Sequence, residues 1–183
     1  TMMPANTLNQ YSSRTVPNAF DVLGASHATN SVTINGSAAD YRRGEYFQEL
    51  VGVVNSATSV WQRVAVTNSG AGWTTGNVFV AKTPELFYYD KDGNLTNDGR
   101  WLYTWDAENR LVNMTSTNTP PPGSKLKLDF VYDWQGRRIQ KLVSTNNGSI
   151  YVAQYTNRFV YDGWNLLAIL APNSSVLSSF VWG

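Results

Sequence analysis

The chain has 183 residues, a formal net charge of +1 and a pI near 7.8. A near-neutral chain has no bulk electrostatic preference for nucleic acid or anionic membranes, so neither is expected as a partner. It contains one histidine and no cysteine, which excludes disulfide scaffolds, thiolate nucleophiles and cysteine-bound metals. No metal site and no cofactor are predicted.

The first half of the chain divides by composition. Residues 1–30 are rich in Asn, Ser and Thr and lack periodicity, which predicts a polar, loosely ordered lead-in. Residues 31–86 contain short β-favouring runs, such as residues 60–66, separated by turn residues. The dipeptide Asn35-Gly36 is a strong hairpin signal. We expect residues 31–86 to form a β-rich segment that packs on residues 87–183.

The interval 41–54 has two interpretations. Its composition fits either a short helix or a bulged strand, and Gly44 and Gly52 weaken the helical one.

Residues 87–183 contain four copies of one pattern: an aromatic residue, any residue, a second aromatic residue and Asp. The copies are residues 87–90, 103–106, 130–133 and 159–162. An Asp accepts hydrogen bonds from main-chain N–H groups two residues on, and Gly or Asn tolerates the left-handed conformation of a tight turn. Each copy therefore predicts a strand, an Asp-nucleated turn and a returning strand.

The turn-forming residues of these copies are predicted to be structural. Arg110 and Arg137 come after their turns and are placed to pair with turn carboxylates or cover neighbouring rings. The full set is Tyr89, Asp90, Gly93, Trp105, Asp106, Arg110, Tyr132, Asp133, Gly136, Arg137, Tyr161 and Asp162. A proline-rich stretch, residues 120–123, interrupts the repeats, and two further strands are predicted in residues 166–171 and 176–182. The fold class is thus an all-β antiparallel meander of hairpins, twisted or partly wrapped, with little helix.

Residues 94–100, 105–111 and 132–138 together resemble the Rhs/YD-repeat family, and the resemblance extends over residues 87–183. In that family such repeats form a spiralling β-sheet that closes into a shell. The resemblance implies a non-catalytic module, a fragment or miniature of the bacterial shell proteins, acting through strand-edge and sheet-face association. Its implied partners are the remainder of a larger Rhs-type protein or another copy of the chain. It also implies a secreted or cell-surface location, although no signal peptide is visible and a cytoplasmic one stays open.

Two alternatives compete with that role. Exposed aromatic rings stack on sugars, so Trp101, Trp134 and Trp164, beside or inside predicted turns, are candidates for a carbohydrate-binding module.

The second alternative is a glycoside hydrolase, because carboxylate pairs such as Asp90 with Asp92, or Asp106 with Glu108, have the chemistry for it. Those carboxylates also stand where turns need them, so no catalytic residue is assigned. A serine triad is excluded because His27 has no nucleophile elbow to serve.

Overall fold

The computed structural model describes residues 5–8, 10–117, 120 and 123–183. Over these residues the chain is all-β and antiparallel, with eighteen strands and no helix, which confirms the predicted fold class. Residues 1–4 and 9 of the predicted lead-in, and residues 121–122 of the predicted proline-rich interruption, lie outside the described residues. The chain divides into two compact units, Thr1–Leu86 (unit 1) and Phe87–Gly183 (unit 2).

Unit 1 consists of nine short strands in three sheets, ordered β2-β6-β5, β4-β3-β7-β8 and β1-β9. The strands are β1 (Ser13–Arg14), β2 (Ala19–Ala25), β3 (Val32–Ile34), β4 (Ser37–Ala38), β5 (Tyr41–Arg43), β6 (Tyr46–Gly52), β7 (Val60–Asn68), β8 (Gly72–Val80) and β9 (Glu85–Leu86).

The polar opening of the chain is more ordered than its composition predicts. Residues Ala19–Ala25 form a seven-residue strand that pairs along its whole length with β6. Phe20 and Val22 alternate with the exposed Asp21 and Leu23, and the two apolar side chains pack on the core. The apolar residues on one face of the strand stabilise this segment, although the surrounding sequence is rich in Asn and Ser.

The predicted hairpin at Asn35-Gly36 is present, and the ambiguous interval 41–54 is resolved. Asn35 and Gly36 have φ of 52° and 90°, and they join β3 to β4. The interval 41–54 contains the antiparallel pair β5–β6, joined where Gly44 has φ of 59°. A positive φ in mid-segment is incompatible with a continuous helix, so the strand interpretation is correct.

The core of unit 1 is small. Val32, Ile34, Phe47 and Val64 are buried together, with Ile34 only 2% exposed. Gly24 on β2 lies against the ring of Phe47, where a Cβ atom would overlap the ring. The close approach of the Phe47 ring to the backbone of β2 therefore depends on a residue without a side chain.

Unit 2 is one nine-stranded antiparallel sheet in which every strand pairs with the next along the chain. The strands are β10 (Tyr88–Tyr89), β11 (Leu95–Asn97), β12 (Trp101–Trp105), β13 (Leu111–Ser116), β14 (Leu126–Tyr132), β15 (Arg138–Asn146), β16 (Tyr151–Asp162), β17 (Asn165–Leu170) and β18 (Val176–Ser179). Alternate hairpin turns lie at the same side of such a meander. Residues 90–94, 106–110, 133–137 and 162–165, the turn edge, therefore lie along one side of the sheet.

The two faces of this sheet differ in chemistry. Directly paired residues in antiparallel strands share a face. One face, here the aromatic face, carries Met114, Leu128, Phe130, Arg138, Lys141, Val143, Tyr155 and Phe159. The opposite face carries Asn113, Thr115, Lys127, Asp129, Leu142 and Arg158. The buried apolar side chains described in unit 2, Phe130 and Val143, both lie on the aromatic face, where Tyr155 and Arg138 are exposed.

No helix in the described part of the chain has the length and hydropathy to cross a membrane.

Candidate functional site

The turn edge contains three turns of nearly identical geometry. In the turn after β14, Asp133 Oδ1 accepts main-chain N–H groups from Gln135 and Arg137, both at 2.9 Å. The Asp133 N–H donates to the Arg137 carbonyl oxygen at 3.0 Å. Asp90 and Asp106 make the same contacts with the residues two and four positions on. A single carboxylate oxygen thus caps each turn.

The third residue after Asp adopts a left-handed conformation in these turns. Gly93, Asn109 and Gly136 have φ of 89°, 58° and 80°. Only residues that tolerate this region, Gly and Asn above all, occupy it at low cost.

The fourth copy departs from the predicted turn. Asp162 pairs with Asn165 across a two-residue turn, and Gly163 takes the positive φ of 54°. This turn is shorter than the one from Asp133 to Arg137 because Gly comes directly after its Asp. Asp162 is therefore a strand-end residue.

Arg137 and Arg110 bind the carboxylates that cap their own turns. Arg137 Nε lies 2.8 Å from Asp133 Oδ2, with the two side chains 18% and 13% exposed. Arg110 Nε lies 2.8 Å from Asp106 Oδ2, and its Nη1 lies 2.8 Å from Glu108 Oε2. Asp106 and Glu108, the pair considered as acid and base, are thus both bound to the Arg110 guanidinium. Carboxylates held in ion pairs are poorly suited to proton transfer.

These contacts determine the carboxylate pKa values. Main-chain and side-chain hydrogen bonds from Arg110 hold the pKa of Asp106 below its ordinary value, despite partial desolvation. At Asp133 desolvation alone would raise the pKa, but hydrogen bonds from Arg137 outweigh it and the pKa is lowered. Both side chains are therefore stabilised as carboxylate anions.

Each turn also contacts the next one along the edge. Asn94 Nδ2 donates to Asn109 Oδ1 at 2.8 Å. Arg110 Nη1 lies 3.4 Å from the carbonyl oxygen of Asp133, and Arg137 Nη1 donates to the carbonyl oxygen of Gly163. The fourth residue after Asp therefore links neighbouring hairpins.

The second aromatic residue of the repeat supplies a further link that the sequence pattern did not reveal. The Tyr132 hydroxyl donates to the Leu111 carbonyl oxygen at 2.9 Å, and the Tyr161 hydroxyl donates to that of Arg138 at 3.1 Å. Trp105 Nε1 makes the same kind of bond to Leu95 at 2.8 Å. Each acceptor comes just after the turn of the preceding hairpin, beside an irregularity in strand register. The sequence does contain one indication of this bond: the second aromatic position of the repeat is Tyr or Trp, which carry a polar donor, and never Phe.

The predicted ligand-stacking tryptophans are in different environments. Trp134 and Trp164 are 87% and 72% exposed at the turn edge. Trp101 is half-buried within β12, opposite Ser116, so the structure does not group it with the other two.

The described residues do not form a metal site or a histidine-based catalytic site. No group of three or more His, Asp or Glu side chains lies close enough among them to hold a metal ion. His27 Nδ1 lies 2.8 Å from Thr29 Oγ1 in an exposed loop.

Comparison with curated proteins finds tRNA nucleases. The chain is 36% identical over 115 residues to "tRNA nuclease WapA" of Bacillus subtilis strain 168. The same identity relates it to the tRNA3(Ser)-specific nuclease WapA of Bacillus spizizenii and to the tRNA(Glu)-specific nuclease WapA of Bacillus subtilis subsp. natto. The match covers 62% of this chain and 4% of each relative. No family model and no solved structure matches.

These matches correct the functional predictions from sequence. Identification with the Rhs/YD-repeat family was wrong, because the curated relatives found are WapA nucleases and no family model supports the assignment. The matches also contradict the predicted functions, because the relatives are named as tRNA nucleases. Those predictions were a non-catalytic shell module, a glycosidase and a sugar-binding module. The hairpin pattern was sufficient for the fold, but a repeat of turn residues carries no information about substrate.

Proposed function

We propose that this chain is a segment of a WapA-like tRNA nuclease, and that the molecule on which its parent protein acts is tRNA. The observation that carries the proposal is the 36% identity over 115 residues to proteins named for that activity. Because the chain spans 4% of the length of those relatives, the activity is proposed for the protein to which the segment belongs.

The described residues contain the kinds of side chain that bind RNA. RNA recognition relies on cations for phosphates and on flat aromatic or guanidinium surfaces for unpaired bases. Unit 2 presents both on one sheet, with Arg138 against two phenylalanine rings. The sequence-based expectation of no nucleic-acid partner rested on the net charge of the whole chain, which averages over surfaces of opposite sign.

The test is to incubate the purified chain with bacterial tRNA and to analyse the mixture on native and denaturing gels. We expect a saturable complex, resistant to excess duplex DNA of similar length, or discrete cleavage products. The absence of both up to about 100 µM protein, the weak limit of typical non-specific binding, would contradict a role of this segment in tRNA recognition. Heat-unfolded chain at the same concentration is the control for contaminating nuclease and for aggregation.

A further inference from the structure

We propose that the aromatic face of unit 2 is a binding surface for single-stranded RNA, such as the unpaired loops of a tRNA. Arg138 and Lys141 would contact phosphates, and the exposed ring of Tyr155 and the planar guanidinium of Arg138 would stack on bases. The identity of the RNA rests on the proposed function, whereas the preference for an unpaired strand rests on the surface itself.

The first observation is a group of flat side chains on this face, at the end of the strands beside the turn edge. The guanidinium carbon of Arg138 lies 5.2 Å from the ring centroids of both Phe130 and Phe159, which come from strands on either side of it. Lys141 Nζ lies 5.9 Å from the ring centroid of Tyr155, which is 51% exposed. Because Phe130 is only 8% exposed, the flat surfaces available for stacking are those of Arg138 and Tyr155, and the candidate phosphate ligands are Arg138 and Lys141.

The second observation is the separation of charge. Strands β13–β17 contain two carboxylates, and neither lies on the aromatic face. Asp129 pairs with Leu142 and Asn113 on the opposite face, and Asp162 lies at the turn edge. The aromatic face of these strands therefore carries positive charge without a carboxylate to neutralise it, although the whole chain is nearly neutral.

The third observation is the chemistry that a partner of this face must have. Covering the face with an apolar sheet would bury Arg138 and Lys141 without anionic partners, which is strongly unfavourable. A partner that is both anionic and aromatic satisfies both groups. Unpaired nucleotides have this combination, whereas paired bases in an A-form helix are not accessible for stacking.

The charge of the turn edge restricts the path that a bound RNA can take across the sheet. The four segments of this edge contain six carboxylates and three cations, so that side of the sheet repels phosphate. Arg110 and Arg137 belong to this edge and are already paired with carboxylates. The RNA therefore runs over Arg138 and Lys141 on the aromatic face, and not along the turn edge with its exposed Trp134 and Trp164.

The experiment compares two charge-removing double variants that differ in face. Arg138→Gln with Lys141→Gln changes the aromatic face, and Arg158→Gln with Lys127→Gln changes the opposite face to the same extent. Binding to labelled tRNA, to a short unstructured RNA and to an RNA duplex is measured by fluorescence anisotropy at several salt concentrations. Circular dichroism and thermal melting establish that each variant is folded.

We expect the aromatic-face variant to bind the unstructured RNA about tenfold or more weakly and to reduce the salt slope by roughly 1.4, about 0.7 for each lost phosphate contact. Tyr155→Ala should weaken binding by roughly tenfold through lost stacking. The opposite-face variant should bind as the unchanged chain does, and the duplex should bind less tightly than the unstructured RNA.

Several outcomes would overturn the inference. Equal losses from both double variants, duplex binding as tight as that of the unstructured RNA, or equally tight binding of poly-glutamate would each exclude a single-stranded RNA site. If tRNA still binds and only the opposite-face variant loses affinity, this inference fails while the proposed function stands. If the chain binds unstructured RNA but neither binds nor cleaves tRNA, the proposed function fails and the surface assignment stands.

Discussion

Arg137 and Tyr161 belong to consecutive hairpins, yet the guanidinium carbon of Arg137 lies 5.4 Å from the centroid of the Tyr161 ring. Arg110 lies at the same distance from Tyr132, one hairpin earlier. Each arginine therefore has two functions: it binds the Asp of its own turn and covers the ring of the next repeat. The repeat is stabilised by contacts between hairpins as well as by the turn within each one.

Replacing Arg137 by Lys should destabilise unit 2 measurably. Lysine keeps the charge but cannot donate to Asp133 and Gly163 from one planar group, nor stack on Tyr161. We expect lower urea and thermal midpoints for Arg137→Lys, and a similar decrease for Arg110→Lys. Lys91→Arg, at the same edge, is the control. Unchanged midpoints in both arginine variants would mean that the links between turns contribute nothing to stability.

The stability of unit 2 should decrease in acid. The folded-state pKa values of Asp106 and Asp133 lie below the ordinary value of 3.8. Their contribution is therefore complete above pH 3.8 and is lost as the pH falls through the lower folded-state values. We expect the urea midpoint to decrease below about pH 4, and to decrease less in the double variant Asp106→Asn with Asp133→Asn. A double variant that retains the full pH dependence would refute the assignment.

The hydroxyl group of Tyr132 should contribute to stability independently of its ring. Tyr132→Phe removes the donor to the Leu111 carbonyl oxygen while keeping the aromatic surface. The expected loss is about 0.5–1.5 kcal/mol in the free energy of unfolding, the usual contribution of one hydrogen bond. Tyr155→Phe, at an exposed position, is the matched control. Equal effects of the two substitutions in urea titrations would contradict a specific role for the hydrogen bond.

Local rules were sufficient to predict the hairpins but not the bonds between them. Asn35-Gly36 and the Asp-initiated turns depend on residues within five positions of each other, which one sequence displays directly. The bond from Tyr132 to Leu111 joins residues 21 apart, so it depends on the register of β13 and β14. Sequence reasoning likewise missed β2, because its partner β6 lies at a distance in the chain. The aromatic face with its cations required the register of four strands.

Two strand glycines of unit 1 should respond in opposite directions to alanine. A Cβ at Gly24 would overlap the ring of Phe47, whereas a Cβ at Gly52 meets nothing within 4 Å. Gly24→Ala should cost about 1–3 kcal/mol through overpacking. Gly52→Ala should be neutral or stabilise by up to about 1 kcal/mol by restricting the unfolded chain. Chemical denaturation monitored by tryptophan fluorescence measures both, and a Gly24→Ala variant as stable as Gly52→Ala would contradict the close packing of β2 against Phe47.

The outer strand β18 should mediate self-association of the chain. The sequence predicts such association through strand edges, and this prediction is untested. All four residues of Val176–Ser179 are exposed, and β18 ends the strand order of its sheet. Because Phe180 donates its main-chain N–H inward to Leu167, the alternation of a strand directs the N–H of Ser179 outward. Ser179→Pro removes that donor while sparing the pairing with β17. Light scattering after size-exclusion chromatography should detect dimers of the unchanged chain that the variant forms less readily. Monomers at every concentration for both proteins would show that this edge does not drive association, and identical dimers for both would direct the search to the opposite edge strand, β10.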